Sequence, residues 1–240
     1  SDDKTARVYQ LDESMTAKRL FVLNGHKHAV NTAAISPAGD VIATGADDNL
    51  VKLWSVGNGQ EQGSIDGHKF GVNTVAFDDG GEKLLTASAD MLAKVWDIST
   101  GKEVVQLRGH SDGVSSAVFV KGTSMVATSS NDQTCRLFDL SSEGAEDHVE
   151  YVGHEQQVVA FAASLDGGVL VTGDESKDVL VWTSPTGEVE GKLDEHDGEI
   201  VFASLSTDGS VAATCGLDES VIVWDTAKRS PIHTISSFSD

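Results

Sequence analysis

Residues 67–97, GHKFGVNTVAFDDGGEKLLTASADMLAKVWD, open with Gly67-His68 and close with Trp96-Asp97. Between these markers an alternating apolar run is followed by a Gly-Gly turn and by two further short apolar runs. Alternation with a period of two indicates a strand with one buried face, and Asp-Gly pairs favour tight turns. The stretch therefore predicts three short antiparallel strands, and residues 104–107 predict a fourth strand beyond the next turn. Four strands in 42 residues leave no room for a helix.

The same pattern occurs five times along the 240 residues, and a His precedes a large aromatic residue by 28 positions in every copy. Successive copies are 42, 42, 44 and 42 residues apart, and the extra length falls in a surface loop between copies three and four. A unit of about 40 residues cannot bury its own apolar face, so the copies are expected to stack on one another. The pairs are His26 with Trp54, His68 with Trp96, His110 with Phe138, His154 with Trp182, and His196 with Trp224.

The recurrent Gly-His openings and Trp-Asp closings resemble the Trp-Asp (WD) repeat family of β-propellers, and the resemblance covers essentially the whole chain. It implies an all-β propeller built from four-stranded antiparallel blades. The expected organisation is a single WD-repeat domain over residues 1–240. It comprises an outer half-blade at 1–23 and five complete repeats at about 24–65, 66–107, 108–151, 152–193 and 194–236.

The half-blade is inferred from residues 1–9, SDDKTARVY, which align with residues 88–96, SADMLAKVW. In this alignment Asp3 and Tyr9 take the places of Asp90 and Trp96. Open sheet edges invite aggregation, and propellers normally complete one blade from both ends of the chain. We therefore expect the sequence to belong to a longer chain with a six- or seven-bladed ring.

Members of this family often link the blade's His and Trp through a Ser/Thr and an Asp, because a buried imidazole and a buried indole N–H need hydrogen-bond partners. The resemblance implies such tetrads in repeats one, two and five. In repeat three Phe138 removes the indole donor, and in repeat four Ser176 stands where the carboxylate is expected, so both blades are expected to be held less rigidly. The implied residues are His26, Thr44, Asp48 and Trp54; His68, Thr86, Asp90 and Trp96; His110, Thr128, Asp132 and Phe138; His154, Thr172 and Trp182; and His196, Thr214, Asp218 and Trp224.

The chain carries 38 acidic and 17 basic residues, a net charge of −21. Residues 143–199 alone hold 15 acidic residues against Lys177 and Lys192. Such a field repels phosphate backbones and attracts basic protein segments, although acidity that only maintains solubility or suits a salty cytoplasm is an equal alternative. No apolar run is long enough to span a bilayer and no secretory signal is apparent, so we expect no membrane insertion and an intracellular location, cytoplasmic or nuclear. Cys135 and Cys215 lie in different repeats and are expected to be reduced and buried.

Catalysis and cofactors are not expected. The Thr, His and Asp of each repeat are assigned to buried structural positions, and His26 and His28 have no further ligand at a metal-binding spacing. The sequence also contains no GxxxxGK[ST] phosphate loop. Propellers do host enzymes, so the fold class alone does not decide the question.

In propellers of this family, partners often use the face formed by the turns before the first strand and between the second and third strands. The resemblance places there the residues three and five positions after each His and the residue before the tetrad carboxylate. Val159, Val201 and Leu217 would form an apolar patch edged by Glu175 and Glu199, and Phe70 is either an anchor or a side chain packed on the next blade. The candidate partner-binding residues are Asp47, Phe70, Asn73, Asn131, Val159, Glu175, Glu199, Val201 and Leu217.

These features favour a non-catalytic protein–protein interaction scaffold or adaptor whose acidic face recruits a basic segment. Two alternatives stay open. One is an escort for basic proteins such as ribosomal proteins or histones, which would bind mainly through charge. The other is an architectural subunit of a large assembly. The expected partners in all three cases are proteins, and nucleic acid is not expected to bind directly.

Overall fold

A computed structural model describes residues 1–12, 15–141, 148–165, 167–184 and 186–236. The wider loop expected between repeats three and four falls largely on residues 142–147, and the first turn of repeat four includes Asp166, so both features lie partly outside the described residues. Contacts divide the chain into two compact units, residues 1–106 (unit 1) and residues 107–240 (unit 2). The described residues form strands and turns without a helix, which confirms the all-β prediction. In particular, no helix among them is long and apolar enough to cross a membrane.

Unit 1 contains one two-stranded and two four-stranded sheets, in which the strands follow chain order. The two-stranded sheet pairs β1 (Thr5–Leu11) with β2 (Ala17–Asn24) in antiparallel register. The next sheet is formed by β3 (Val30–Ile35), β4 (Val41–Ala46), β5 (Leu50–Ser55) and β6 (Glu61–Asp66). The last is formed by β7 (Val72–Phe77), β8 (Lys83–Ser88), β9 (Ala93–Asp97) and β10 (Lys102–Leu107).

Unit 2 contains three four-stranded sheets of the same topology. The first is formed by β11 (Val114–Phe119), β12 (Met125–Ser130), β13 (Thr134–Asp139) and β14 (His148–Val152). The second is formed by β15 (Val158–Ala163), β16 (Val169–Asp174), β17 (Val179–Thr183) and β18 (Glu188–Leu193). The third is formed by β19 (Ile200–Leu205), β20 (Val211–Gly216), β21 (Ser220–Asp225) and β22 (Ser230–Ser236). Each of the five predicted repeats thus contains one four-stranded blade.

The turn between β3 and β4 shows why the sequence SPAGD reverses the chain. Gly39 takes a left-handed φ of 73°, which glycine adopts without steric cost, and its N–H donates to the Ser36 carbonyl over 2.8 Å. The Ser36 hydroxyl oxygen accepts a hydrogen bond from the Val41 N–H at 3.0 Å. These contacts fix the register of β3 and β4, the two strands that the turn joins.

The first strand of every complete blade contains a β-bulge near its start. The register shift leaves out the residue five positions after the repeat's His. A bulge re-aims the side chains around it and bends the strand. The five bulge residues are Asn31, Asn73, Ser115, Val159 and Val201.

The hydrophobic cores lie between consecutive sheets within each unit, and the Trp of one blade packs on the sheet before it. In unit 1, Trp54 shares a core with Leu23 of β2, and Trp96 shares one with Val51 of β5. In unit 2, Trp182 packs with residues of β12–β14 and Trp224 with residues of β16–β18. Within each unit, the apolar faces of consecutive sheets therefore cover one another, as a stacked repeat requires.

The Gly of the Gly-His pair makes room for the indole ring. A Cβ added at Gly67 would overlap the ring of Trp96, and one added at Gly153 would press on Trp182. The Gly-His and Trp signals at the two ends of the 28-residue spacing are therefore parts of one packing contact.

Both cysteines are free thiols. Cys135 is buried as expected, and burial raises the pKa of its thiol, so it is an unreactive core residue. The expectation that Cys215 is buried is wrong, since it is only partly covered in β20.

Candidate protein-interaction surface

Hydrogen-bonded tetrads link the strands of repeats one, two and five. In repeat two, one ring nitrogen of His68, Nδ1, lies 2.9 Å from Asp90 Oδ2, and the other, Nε2, lies 2.7 Å from Thr86 Oγ1. The Trp96 indole N–H donates to the same Thr86 hydroxyl over 2.9 Å. The equivalent contacts of 2.7–3.0 Å join His26, Asp48, Thr44 and Trp54 in repeat one and His196, Asp218, Thr214 and Trp224 in repeat five.

The geometry assigns one proton arrangement to each complete tetrad. Thr86 Oγ1 accepts from the indole, and its own hydrogen is best placed to donate to Nε2 of His68 at 2.7 Å, since its other acceptor, the Lys94 carbonyl, lies farther away at 3.4 Å. The imidazole proton then lies on Nδ1 and donates to the Asp90 carboxylate. In this arrangement the buried donors and acceptors of the tetrad all have partners, so the tetrad is a structural link between the second and third strands and the turns that carry the His and the Asp.

Repeat four has its carboxylate, and the expectation that it lacks one is wrong. Asp174, the last residue of β16, accepts a hydrogen bond from His154 Nδ1 over 2.8 Å, while His154 Nε2 lies 2.6 Å from Thr172 Oγ1. Ser176, which occupies the expected carboxylate position, donates its N–H and its hydroxyl to Asp174 Oδ1. Trp182 donates to Thr172 over 2.7 Å, so the tetrad of repeat four is complete.

A side chain two residues before the usual carboxylate can reach the His because the end of the second strand points at it. In repeat five this position is Gly216, and a Cβ built there would lie 2.8 Å from His196 Nδ1. Asp174 occupies the corresponding place in repeat four, opposite Val158 in the strand register, as Gly216 is opposite Ile200. The signal in the sequence was an Asp two positions before Ser176.

Repeat three keeps the His, Thr and Asp contacts but has no indole. His110 lies 2.9 Å from Asp132 and 2.8 Å from Thr128, and Phe138 fills the place of the Trp. The ring of His148 packs 5.0 Å from the Phe138 ring and accepts a hydrogen bond from the Arg136 guanidinium. Lower rigidity of this blade stays a prediction.

The tetrad carboxylates also tie two turns together and are held ionised. Burial by itself would raise the pKa of Asp132, but hydrogen bonds from Thr134, the Ser111 N–H and His110 outweigh burial and bring the pKa to about 2. For Asp218 burial is likewise outweighed, by Ser220, the Asp197 N–H and His196, and its pKa is also about 2. Conversely, burial lowers the pKa of His110.

We expect acid to destabilise the protein in two steps. His110 has a lowered pKa when folded, so its contribution is complete above the ordinary value of 6.5 and is lost as the pH falls below that value. The contributions of Asp132 and Asp218 are complete above the ordinary value of 3.8 and are lost as the pH falls towards about 2. Urea unfolding midpoints measured from about pH 8 to about pH 2 should fall gently at first and then steeply. Replacing both Asp by Asn should flatten the steep limb, and an unchanged limb would refute this assignment.

The three positions expected to form the partner face lie close together, and a backbone hydrogen bond joins two of them. In each repeat the residue after the second strand donates its backbone N–H to the carbonyl of the residue three positions after the His. The bulge residue lies two positions further along the chain, near the start of the first strand, so all three positions lie at the same end of the blade. The bonds are Asp47 to Ala29, Ala89 to Gly71, Asn131 to Gly113, Glu175 to Gln157 and Leu217 to Glu199, at 2.8–3.1 Å.

The candidate residues differ in how far they reach solvent. Most are exposed, with Leu217 at 63%, Phe70 at 59% and Val201 at 51%, whereas Asn73, Asn131 and Val159 are half-buried. At the bulge position of repeat one, Asn31 donates to the Val72 carbonyl of the next blade. A polar bulge residue can therefore form a hydrogen bond to the neighbouring blade. Repeats four and five instead have Val at the bulge position. The other exposed candidates are Asp47, Glu175 and Glu199.

Negative charge is concentrated in unit 2. Residues 107–240 carry 23 acidic and 7 basic residues, a net charge of −16 out of −21. Exposed carboxylates are found on the turns of repeats four and five, where Val201 and Leu217 are also exposed, and the ammonium of Lys177 lies 3.9 Å from Asp197. The exposed carboxylates of these turns are Glu155, Glu175, Asp197, Glu199 and Glu219. Within the described ranges, no group of three or more His, Cys, Asp or Glu side chains is placed to hold a metal ion.

A pocket of about 380 Å³ between the first strands of unit 2 was not predicted from the sequence. Three phenylalanines line it, one from each first strand: Phe119 of β11, Phe161 of β15 and Phe202 of β19. In the sequence each of them reads as an ordinary buried strand residue. Only the packing of three strands shows that they share one pocket.

The chain consists of repeated four-stranded blades, with a hydrogen-bonded tetrad inside four of the five complete blades and varied side chains on the connecting turns. These features define a β-propeller protein of the protein-binding scaffold class. The chain belongs to the WD domain, G-beta repeat family. Its family model matches residues 17–55, 59–97, 101–139, 147–183 and 187–225.

Similar proteins match the chain over short stretches. A ribosome biogenesis protein WDR12 homolog of Oryza sativa is 33% identical over 67 residues, 26% of this chain and 15% of the relative. The eukaryotic translation initiation factor 3 subunit I of Aspergillus niger is 43% identical over 47 residues, 20% of this chain and 14% of the relative. The chain therefore aligns with only a small part of each relative's length, and the likeness extends over one or two repeats.

Proposed function

We propose that this chain is a non-catalytic scaffold that binds a basic protein segment at the turns of repeats four and five. The observation that carries the proposal is the exposure of Val201 and Leu217 among the carboxylates of a unit with a net charge of −16. An apolar anchor surrounded by acidic groups suits a ligand of opposite charge with an apolar side chain. Large apolar side chains exposed together on a folded surface are typical of interaction sites.

The buried tetrads support a non-catalytic role. The Thr hydroxyls are buried and already bonded to a His side chain, and in four of the repeats also to a Trp, so they are not available to a substrate. The names of the relatives describe ribosome biogenesis and a subunit of a translation initiation factor. These names support our inference that the chain is a subunit of a multiprotein assembly inside the cell, in the cytoplasm or the nucleus.

Charge reversal at the proposed site tests the function. We expect Glu175→Lys combined with Glu199→Lys to reduce partner capture from a cell lysate about tenfold, because it places repulsive charge beside a basic ligand. Captured proteins are quantified by mass spectrometry at about 0.1 M salt. Asp66→Lys combined with Glu82→Lys, two exposed positions of unit 1, changes the net charge equally and is the matched control. Equal losses with both double variants, or no loss with the first, would contradict the proposal.

The concentration of charge in unit 2 also favours a second candidate, an escort for basic proteins such as ribosomal proteins or histones. An escort that binds through charge would lose its ligand at about 0.5 M salt and would tolerate Leu217→Ser. A scaffold with an apolar anchor would retain part of its ligand in salt and would be weakened by Leu217→Ser. The two measurements together distinguish the candidates.

A further inference from the structure

The pocket of unit 2 is apolar, whereas the turns at the proposed binding site are acidic. Phe119, Phe161 and Phe202 line it together with Leu165 and Leu205, and Lys121 is the single charged side chain among its described lining residues. Concave, mainly apolar pockets of a few hundred Å³ are the usual form of a ligand site. The mainly apolar lining therefore favours an apolar side chain as its occupant.

Phe202 departs from the pattern of the other repeats. It follows the bulge residue Val201 and remains 57% exposed. The equivalent positions, six residues after each His, hold the small or polar residues Thr32, Thr74, Ser116 and Ala160. An exposed phenylalanine at the edge of an apolar pocket offers a partner a large apolar area to bury.

Strands β15 and β19 begin at the acidic turns and also line the pocket. On β19, exposed Val201 directly precedes exposed Phe202, and on β15, the half-buried Val159 lies two residues before Phe161. Strands β15 and β19 are the packed first strands of consecutive blades in unit 2. An apolar path therefore leads along β19, beside β15, from the acidic turns to the pocket.

We propose that the partner is an extended segment with basic residues at the turns and one bulky apolar side chain, such as Phe, Trp or Leu, in the pocket. The inference rests on the proposed function and specifies its ligand. The ligand should be basic where it contacts the turns, because Glu175 and Glu199 are exposed there. It should be apolar where it enters the pocket, because the lining is mainly apolar. Glu199 directly precedes β19 and Leu205 ends it six residues later, which is about 20 Å in extended chain, so the anchor should lie about four to six residues from the basic group.

A random dodecapeptide phage library selected on the protein tests this ligand. Against the unchanged chain we expect enriched peptides that combine Lys or Arg with a bulky apolar residue about four to six positions away. Phe202→Ser should abolish enrichment of the apolar residue, whereas Ile35→Ser should retain it. Ile35 is 60% exposed on β3 of unit 1 and is the matched control. Circular dichroism melts should show that both variants are folded.

The outcomes separate this inference from the function on which it rests. An apolar preference that survives Phe202→Ser would overturn the pocket ligand and leave the proposed function intact. Basic peptides without any apolar preference would overturn the pocket ligand and favour the escort instead of the scaffold. Enrichment that survives Glu175→Lys with Glu199→Lys would instead overturn the proposed function. A dimer in sedimentation equilibrium that Phe202→Ser dissociates would show that a second copy of this chain occupies the pocket, and it would overturn the inference.

Discussion

Replacing Thr172 by Val is expected to lower the free energy of unfolding by about 4 kcal/mol, about twice the effect of Thr128→Val. Thr172 Oγ1 accepts from the Trp182 indole at 2.7 Å and lies 2.6 Å from His154 Nε2. Valine keeps the shape and leaves both buried groups without a partner, at about 2 kcal/mol each. In repeat three Phe138 carries no N–H, so Thr128→Val leaves only His110 unsatisfied.

The comparison is matched because both Thr lie in unit 2, on the second strand of their blades, and both are buried. Urea unfolding followed by circular dichroism, with the m-value checked for each variant, gives the two free energies. Equal losses would mean that the indole hydrogen bond contributes nothing measurable and that the Thr acts through His contacts or packing alone. A larger loss at Thr128 would contradict the proton arrangement assigned to the tetrads.

The regular part of the fold could be predicted from the sequence because it depends on local signals at fixed offsets. The 28-residue spacing spans three strands and two turns, and the strands occur where the alternation places them. The Trp at one end of that spacing packs against the Gly at the other, so one contact constrains both signals. Repetition in five copies then compensates for ambiguity in any one of them.

Asp174 shows where counting offsets fails. An offset identifies the position that usually carries a carboxylate, but a hydrogen bond depends on where the side-chain oxygen lies. The end of the second strand points at the His, so a carboxylate from two residues earlier reaches Nδ1 equally well. Ser176 then becomes a donor to Asp174 instead of its replacement.

The pocket and the exposure of Phe202 could not be predicted, because both depend on how the three first strands of unit 2 pack against one another. Val201 and Phe202 read as two positions of a buried strand, and only the bulge at Val201 explains why consecutive side chains are both exposed. The candidate positions on the turns were accessible to sequence reasoning, since they are defined by their distance from the His. Which of them bind a partner depends on charge and apolar surface that differ from repeat to repeat.

Asp174→Asn is expected to destabilise the protein by about 3 kcal/mol, whereas Ser176→Ala should cost less than about 1 kcal/mol. One oxygen of Asp174 accepts from His154 Nδ1, and the other accepts from the Ser176 N–H, the Ser176 hydroxyl and the Asp178 N–H. Asparagine has a single carbonyl oxygen, so it must face either the imidazole or the three turn donors with an N–H group.

The two substitutions also test which residue supplies the carboxylate role in repeat four. Ser176 is exposed, and its removal leaves Asp174 bonded to His154 and to the Asp178 N–H, so the turn and the tetrad persist. Thermal melts of both variants should be compared with that of Asp218→Asn. Asp218 holds the usual carboxylate position in repeat five and makes the same contact with His196 at 2.8 Å, so its loss of stability is the reference value. If Asp174→Asn melts with the unchanged protein while Ser176→Ala is strongly destabilised, the turn rather than the tetrad holds this blade. Similar losses for Asp174→Asn and Asp218→Asn would mean that the link from carboxylate to imidazole contributes alike from either position.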